Sequence, residues 1–225
     1  SRFVSRLRYN RREAVEHLKN NCPPMGRLIE QSGPLKLKVA QGADLFNALS
    51  AAIIYQQLSG KAAATIHGRF KALFRDERPE AGQAIGLSHE ALRGAGLSNN
   101  KVLAVRDLAE KSLNGTLVSE RRLRSLDDDA VIENLCTVRG IGPWTAQMYL
   151  IFNLGRPDIM PATDLGIQKG VHWVYGREAL PSPDEVLEAT RHLAPYRSAA
   201  RWYFWLAADK GLVGGPRIFL PQGAC

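Results

Sequence analysis

Apolar residues recur along the chain at three- and four-residue spacing. Phe46, Leu49, Ala52 and Ile53 share one stripe, Ala63, Ile66, Phe70 and Phe74 a second, and Val102, Val105 and Leu108 a third. That is the period of amphipathic helices with one buried face. Polar start signals punctuate the stripes. Ser98 precedes the third, and Ser125 leads into Asp127, Asp128 and Asp129, carboxylates suited to the positive end of a helix running through Leu135. Ser182-Pro183-Asp184-Glu185 joins a serine cap, a proline at the first helical position and a glutamate three residues after the cap. Short loops are marked at Gly94-Ala95-Gly96, Gly155-Arg156-Pro157 and Gly214-Gly215-Pro216. Strand-like alternation is confined to Leu35-Lys36-Leu37-Lys38-Val39, too little for a sheet. The pattern predicts an all-α fold built as two helical lobes.

Composition narrows the class. The chain has 225 residues, 45% hydrophobic and 23% charged, enough to bury a core without metal or disulfide staples. Its cysteines, Cys22, Cys136 and Cys225, are too few and too dispersed for a disulfide framework, a paired-CxxC zinc site or a four-cysteine iron–sulfur cluster. The longest strongly apolar run, Trp202 to Ala208, is too short to cross a bilayer. No secretion signal is visible, and a reduced, intracellular compartment is expected. The net charge is +8, with +10 over residues 1–124 and −2 beyond. Such a basic excess suits a polyanionic partner, although a solvated basic surface gives the same numbers.

The most informative segment is Leu135-Cys136-Thr137-Val138-Arg139-Gly140-Ile141-Gly142-Pro143-Trp144-Thr145-Ala146. An apolar helix is predicted to end near Thr137. A turn follows on Gly140 and Gly142, and Pro143 opens a second helix through Met148 and Tyr149 to Leu154. Paired glycines permit positive φ and close approach of another backbone. Exposed turn amides followed at once by a helix N-terminus suit a phosphate oxygen. Read alone, the glycines serve equally well as ordinary helix caps.

Other segments occur in register with this one. Pro161-Ala162-Thr163-Asp164 lies downstream. Ile53-Ile54-Tyr55-Gln56-Gln57-Leu58-Ser59 and Gly96-Leu97-Ser98 followed by Lys101 lie upstream. Pro195-Tyr196-Arg197-Ser198 runs into Trp202-Tyr203-Phe204-Trp205. Over roughly residues 40–210 the chain resembles the helix-hairpin-helix DNA glycosylase superfamily. It is most similar to the 3-methyladenine DNA glycosylase II (alkylpurine) group, in a compact form without the N-terminal β-rich domain. The resemblance implies one domain over 1–225, with a hairpin-containing lobe at 50–160, a terminal lobe of 1–49 plus 161–225, and a cleft between them.

The implied activity is excision of alkylated, cationic purines such as 3-methyladenine and 7-methylguanine from double-stranded DNA. The implied roles attach to particular residues. Asp164 is the catalytic carboxylate, and it also has the position of a helix N-cap. Trp144 and Trp205 match the base pocket, Met148 stands there where the group has a tyrosine, and Tyr55 and Tyr203 are weaker candidates; core packing is the competing role. Strand-nicking relatives carry a lysine at position 144; Trp144 therefore implies a monofunctional enzyme that leaves an abasic site. Gln57 or Leu58 is the wedge that fills the gap in the duplex, with Gln57 departing from the usual apolar residue; alternatively Gln56 and Gln57 cap a helix and hydrogen-bond backbone. Gly140, Gly142, Trp144, Lys61 and Lys101 are the phosphate contacts. The carbonyls of Cys136, Val138 and Ile141 match those that hold a structural Na+ or K+ when DNA is bound. No cofactor and no catalytic divalent metal are implied, since His17, His67, His89, His172 and His192 are scattered. Expected partners are damaged double-stranded DNA and no membrane, for a monomer that is cytoplasmic in bacteria or nuclear in eukaryotes. The alternative is a damage-binding module of the same fold with little catalysis.

Overall fold

A computed structural model of the chain describes residues 6–41 and 43–209; Gly214-Gly215-Pro216 and Cys225 lie outside the described residues. Among the described residues thirteen α-helices follow one another: α1 (Arg11–Asn21), α2 (Pro23–Ser32), α3 (Leu45–Tyr55), α4 (Gly60–Lys71), α5 (Ala81–Ala84), α6 (His89–Gly94), α7 (Asn99–Asn114), α8 (Glu120–Ser125), α9 (Asp128–Leu135), α10 (Pro143–Phe152), α11 (Leu165–Val174), α12 (Pro183–Thr190) and α13 (Arg197–Asp209). None is long and apolar enough to cross a membrane. The chain divides into two compact units. One is Gln41–Tyr149, and the other joins the described residues through Ala40 to those from Leu150 onward. The division thus falls at 40/41 and inside α10, whereas the sequence set the lobe edges at 50 and 160.

Short polar side chains start the helices. Ser59, Ser88, Ser98 and Ser119 cap α4, α6, α7 and α8, and Asp44 caps α3. Each satisfies an otherwise orphaned amide, worth about 1 kcal/mol. Ser182 and Glu185 form the full capping box foreseen for α12. One start differs from the expectation: Asp127, not Ser125, caps α9, because Ser125 ends α8 and bonds back to the Arg122 carbonyl.

In the first unit α7 lies at the centre. Its Val102, Val105, Leu108 and Ala109 are fully buried, as are Ile53 and Ile54 of α3 and Phe70 of α4. In the second unit α11 and α13 touch at Gly170, where an added Cβ would sit 2.4 Å from the Phe204 carbonyl oxygen. The 35–39 segment keeps its alternation, with Leu35, Leu37 and Val39 buried and the two lysines exposed. It forms no strand among the described residues. Its Leu37 carbonyl accepts from the Arg11 guanidinium at 2.7 Å instead of from a neighbouring strand.

Asp158 and Arg197 clamp the start of α13 to the loop between α10 and α11 through paired hydrogen bonds of 2.8 and 2.9 Å. Burial pushes the Asp158 carboxyl up, but the side-chain and backbone hydrogen bonds and the charge of Arg197 outweigh it and hold it below the usual range. A depressed carboxyl contributes stability that is present above its unfolded value, about 3.9, and lost as pH falls through the lower folded value. Thermal melts should therefore show a loss below about pH 4 that is reduced in Asp158→Asn. The same acid limb in both proteins would rule this pair out as its source.

Candidate active site and nucleic-acid contacts

The hairpin turn belongs to the first unit and is fixed from within. Val138 and Ile141 are buried, while Arg139, Gly140, Gly142, Pro143 and Trp144 are exposed. The Ile141 amide donates to the Val138 carbonyl at 3.1 Å, so one of the three carbonyls matched to a cation already accepts a hydrogen bond. Gly140 has φ +83°, and an added Cβ would lie 3.0 Å from Ala104 Cβ. Only glycine fits there without strain. Gly142 is different: its φ is ordinary and an added Cβ would meet nothing within 4 Å. Nothing inside the protein requires a glycine at 142.

Helix α7 holds this turn. Asp107 accepts from the Arg139 amide at 2.8 Å and from Lys111 Nζ at 2.9 Å, and Lys111 also donates to the Thr137 carbonyl. Burial raises the Asp107 carboxyl, but those donors and the positive charges of Lys111 and Arg139 hold it below the usual range.

The Tyr55–Leu58 loop is a tight turn. Gln56 has φ −58° and ψ 132°, Gln57 has φ +58°, and the Leu58 amide donates to the Tyr55 carbonyl at 3.4 Å. This is a type II turn, whose third position favours glycine. A non-glycine residue held there costs about 1–2 kcal/mol. Gln57 and Leu58 are both exposed, and Tyr55 packs edge-on against His67 with ring centroids 5.8 Å apart. Burial, with a further push from Lys71, lowers the His67 imidazole. Relief of the turn strain in Gln57→Gly should raise stability by about 1 kcal/mol. If the side chain at 57 fills the duplex, the same variant should lose opening of a lesion pair, read by 2-aminopurine fluorescence. Unchanged opening would remove Gln57 from the wedge role.

The helix N-termini that adjoin this loop, those of α4, α7 and α10, carry no acidic residue in their first turns. Lys61 lies exposed in the first turn of α4, where a cation is unfavourable unless an anion is also present. Lys101 is placed differently from Lys61. Its ammonium donates to the carbonyls of Ile54 and Gln56, both at 2.7 Å.

Asp164 belongs to the second unit. It is half-buried at the N-cap of α11, and its Oδ1 accepts from the amides of Gly166 at 2.9 Å and Ile167 at 3.4 Å. Capping is therefore one of its roles. Gly166 leaves it room, since a Cβ there would lie 3.2 Å from that oxygen. Arg201 is buried with its guanidinium 5.2 Å from the centroid of the Phe152 ring. Burial lowers the Arg201 guanidinium, and the negative charge of Asp164 works in the opposite direction. Trp205 is 39% exposed on α13, and Trp144 of the first unit 44% exposed. Met148 is half-buried. Tyr203 is fully buried and donates its hydroxyl to the Gly33 carbonyl at 3.0 Å, a core residue rather than a pocket wall.

The sequence reading missed Asp107 and Arg201, and left Gln56 as one of two glutamines that cap a helix and hydrogen-bond backbone. The Asp107/Lys111 pair, four residues apart in a helix, was a visible signal. Gln56 does hydrogen-bond backbone, but to a distant partner: its Nε2 reaches the Gly140 carbonyl, at 2.8 Å, across 84 residues of chain.

A model of the HhH-GPD superfamily base excision DNA repair proteins matches residues 50–195. The DNA-3-methyladenine glycosylase 1 of Schizosaccharomyces pombe is 34% identical over 161 residues, 71% of this chain and 71% of that one. Among solved structures, the Schizosaccharomyces pombe 3-methyladenine DNA glycosylase in complex with abasic DNA matches with TM-score 0.78 at 30% identity, over 88% of this chain and 97% of that chain. A DNA-3-methyladenine glycosidase from Bacillus halodurans matches with TM-score 0.82 at 30% identity, over 97% of each. With its glycine hairpin turn and its capping aspartate in place, the chain belongs to the HhH-GPD superfamily of base excision DNA repair proteins.

Proposed function

We propose that the chain is a monofunctional DNA glycosylase that everts alkylated purines such as 3-methyladenine and 7-methylguanine from double-stranded DNA and excises them, leaving an abasic site. Asp164 is the observation that carries the reading: a half-buried carboxylate fixed by two backbone amides at the start of α11, in a chain of a base excision family. Breaking the N-glycosidic bond leaves positive charge on the deoxyribose, and a preorganised carboxylate offsets it. Water then adds to the anomeric carbon and gives up a proton. An N-alkylated purine is cationic before cleavage and departs neutral, so no protein acid is required to protonate it.

The remaining roles follow the chemistry of each side chain. Trp144, Trp205 and Tyr55 offer partly exposed aromatic faces, each attracting a cationic base by about 0.5–2 kcal/mol, and Met148 adds apolar wall. Trp144 has no amine with which to form a Schiff base, which supports a lyase-free reaction. Gly140, Gly142 and Trp144 would present amides to phosphate, with Lys61 adding charge. The neutral carbonyls of Cys136, Val138 and Ile141, with no carboxylate among them, suit a monovalent cation better than a divalent one. Gln57 or Leu58 would occupy the place of the everted base.

Incubation with methylated duplex DNA, followed by chromatography of released bases, tests the reading. Release of free 3-methyladenine or 7-methylguanine is expected, without strand nicking. Tight binding to an abasic-site duplex with no base release would favour a damage-binding module instead. A covalent DNA adduct trapped by borohydride would contradict the monofunctional assignment.

A further inference from the structure

The hydrogen bonds of Lys101 and Gln56 describe a connection that no phosphate contact requires. The Lys101 ammonium donates to two carbonyls at the end of α3, those of Ile54 and Gln56, each at 2.7 Å. The side chain of Gln56 continues the path, its Nε2 donating to the Gly140 carbonyl at 2.8 Å and lying 3.5 Å from Thr145 Oγ1. Gly140 is the left-handed glycine of the hairpin turn, and Thr145 lies in the first turn of α10. The next residue after Gln56 is Gln57, with its positive φ. Further along α7, Ala104 backs Gly140, and Asp107 and Lys111 hold the backbone at Arg139 and Thr137. One helix therefore grips the loop with its first turn and the hairpin with the turns that follow, and Gln56 ties the two together directly.

We propose that Lys101 is a positioning residue: with Gln56 it locks the strained Tyr55–Leu58 turn to the Gly140 turn, so that the side chain at position 57 and the hairpin amides meet DNA as one preformed unit. The inference rests on the proposed role of the loop and hairpin in holding DNA. It changes the part taken by Lys101 from a phosphate contact to a support beneath the contact surface. The physical reasons are threefold. A left-handed glutamine persists only where its surroundings over-determine it. The end of α3 presents unsatisfied carbonyls that an ammonium satisfies well. Burial lowers the Lys101 ammonium, the environment of a group engaged inside the protein rather than one reaching into solvent. Preorganisation of this kind matters because a displacement of about 1 Å in a positioning element can cost about a hundredfold in rate.

The test uses the full chain with two single variants, Lys101→Met and Gln56→Leu, and a duplex carrying a tetrahydrofuran abasic-site analogue beside 2-aminopurine. Two quantities are read: the salt dependence of binding, and the fluorescence increase on unstacking. Both are independent of base excision, so a chain without glycosylase activity would defeat the functional reading and leave this inference testable. In each variant the fluorescence increase should fall about tenfold, while the log–log salt slope stays at the wild-type value. Lys101→Arg, which keeps donors for the carbonyls, should recover most of the signal. Gln56→Leu alters a partly exposed side chain and carries the test if Lys101→Met fails to fold. A slope reduced by about 0.9 in Lys101→Met would mark a direct phosphate contact and overturn the inference. Wild-type fluorescence in Gln56→Leu would overturn it as well.

Discussion

Asp164→Asn is expected to slow single-turnover base release by about two to three orders of magnitude, the usual effect of deleting one preorganised electrostatic group in an active site. The substitution isolates charge from structure. Asparagine caps helices about as well as aspartate, and an amide oxygen can still accept from Gly166 and Ile167, the present partners of Oδ1. Buried Arg201 loses a compensating negative charge, so a modest stability loss accompanies the change. Binding to an abasic-analogue duplex should be retained. Rapid-quench kinetics beside a thermal melt check both halves. A variant that melts lower but excises at the wild-type rate would reduce Asp164 to a helix cap.

Gly142→Asp should show the opposite pattern, a stable protein that no longer holds DNA. The backbone at 142 is in ordinary φ space, the residue is exposed, and an added Cβ meets nothing within 4 Å, so the fold tolerates a side chain there. If the hairpin amides grip a phosphate, a carboxylate on this apex places like charges together at a cost of several kcal/mol. That corresponds to a loss of about a hundredfold or more in affinity. Gly140→Asp is not equivalent, because φ +83° and the Ala104 contact would strain the turn itself. Fluorescence anisotropy on a lesion duplex gives the affinity, and a melt confirms the fold. Wild-type affinity in Gly142→Asp would remove the turn from the DNA contact surface.

Much of this was legible in the linear pattern, for local reasons. Helices announce themselves through period and caps, and Ser98 and Ser182 are both used as caps, each by an amide three residues on. The Gly-Ile-Gly-Pro turn is likewise a local object, since Ile141 points inward and Pro143 opens α10. What escaped was long-range. The chemistry of Lys101 is ambiguous in sequence, because a lysine early in a basic helix suits a phosphate as well as a carbonyl. Only the position of the α3 terminus decides between them. Aromatic residues show the same limit. Trp205 and Tyr203 stand two apart on α13, yet one is 39% exposed and the other fully buried. Alternation over 35–39 correctly marked which side chains face inward, but a strand also needs a partner, and that is not a local property.

If one fixed carboxylate helps a cationic base to leave, a matched pair of substrates that differ only in the charge of the base separates this reaction from unselective excision. Two duplexes of the same sequence, one carrying 7-methylguanine and the other unmodified guanine at the same position, are incubated with excess protein, and the free base and intact abasic strand are quantified. Release of 7-methylguanine alone is expected, from a strand that stays uncut until treated with alkali. Release of both bases at similar rates, or of neither under conditions where the protein saturates the duplex, would contradict it.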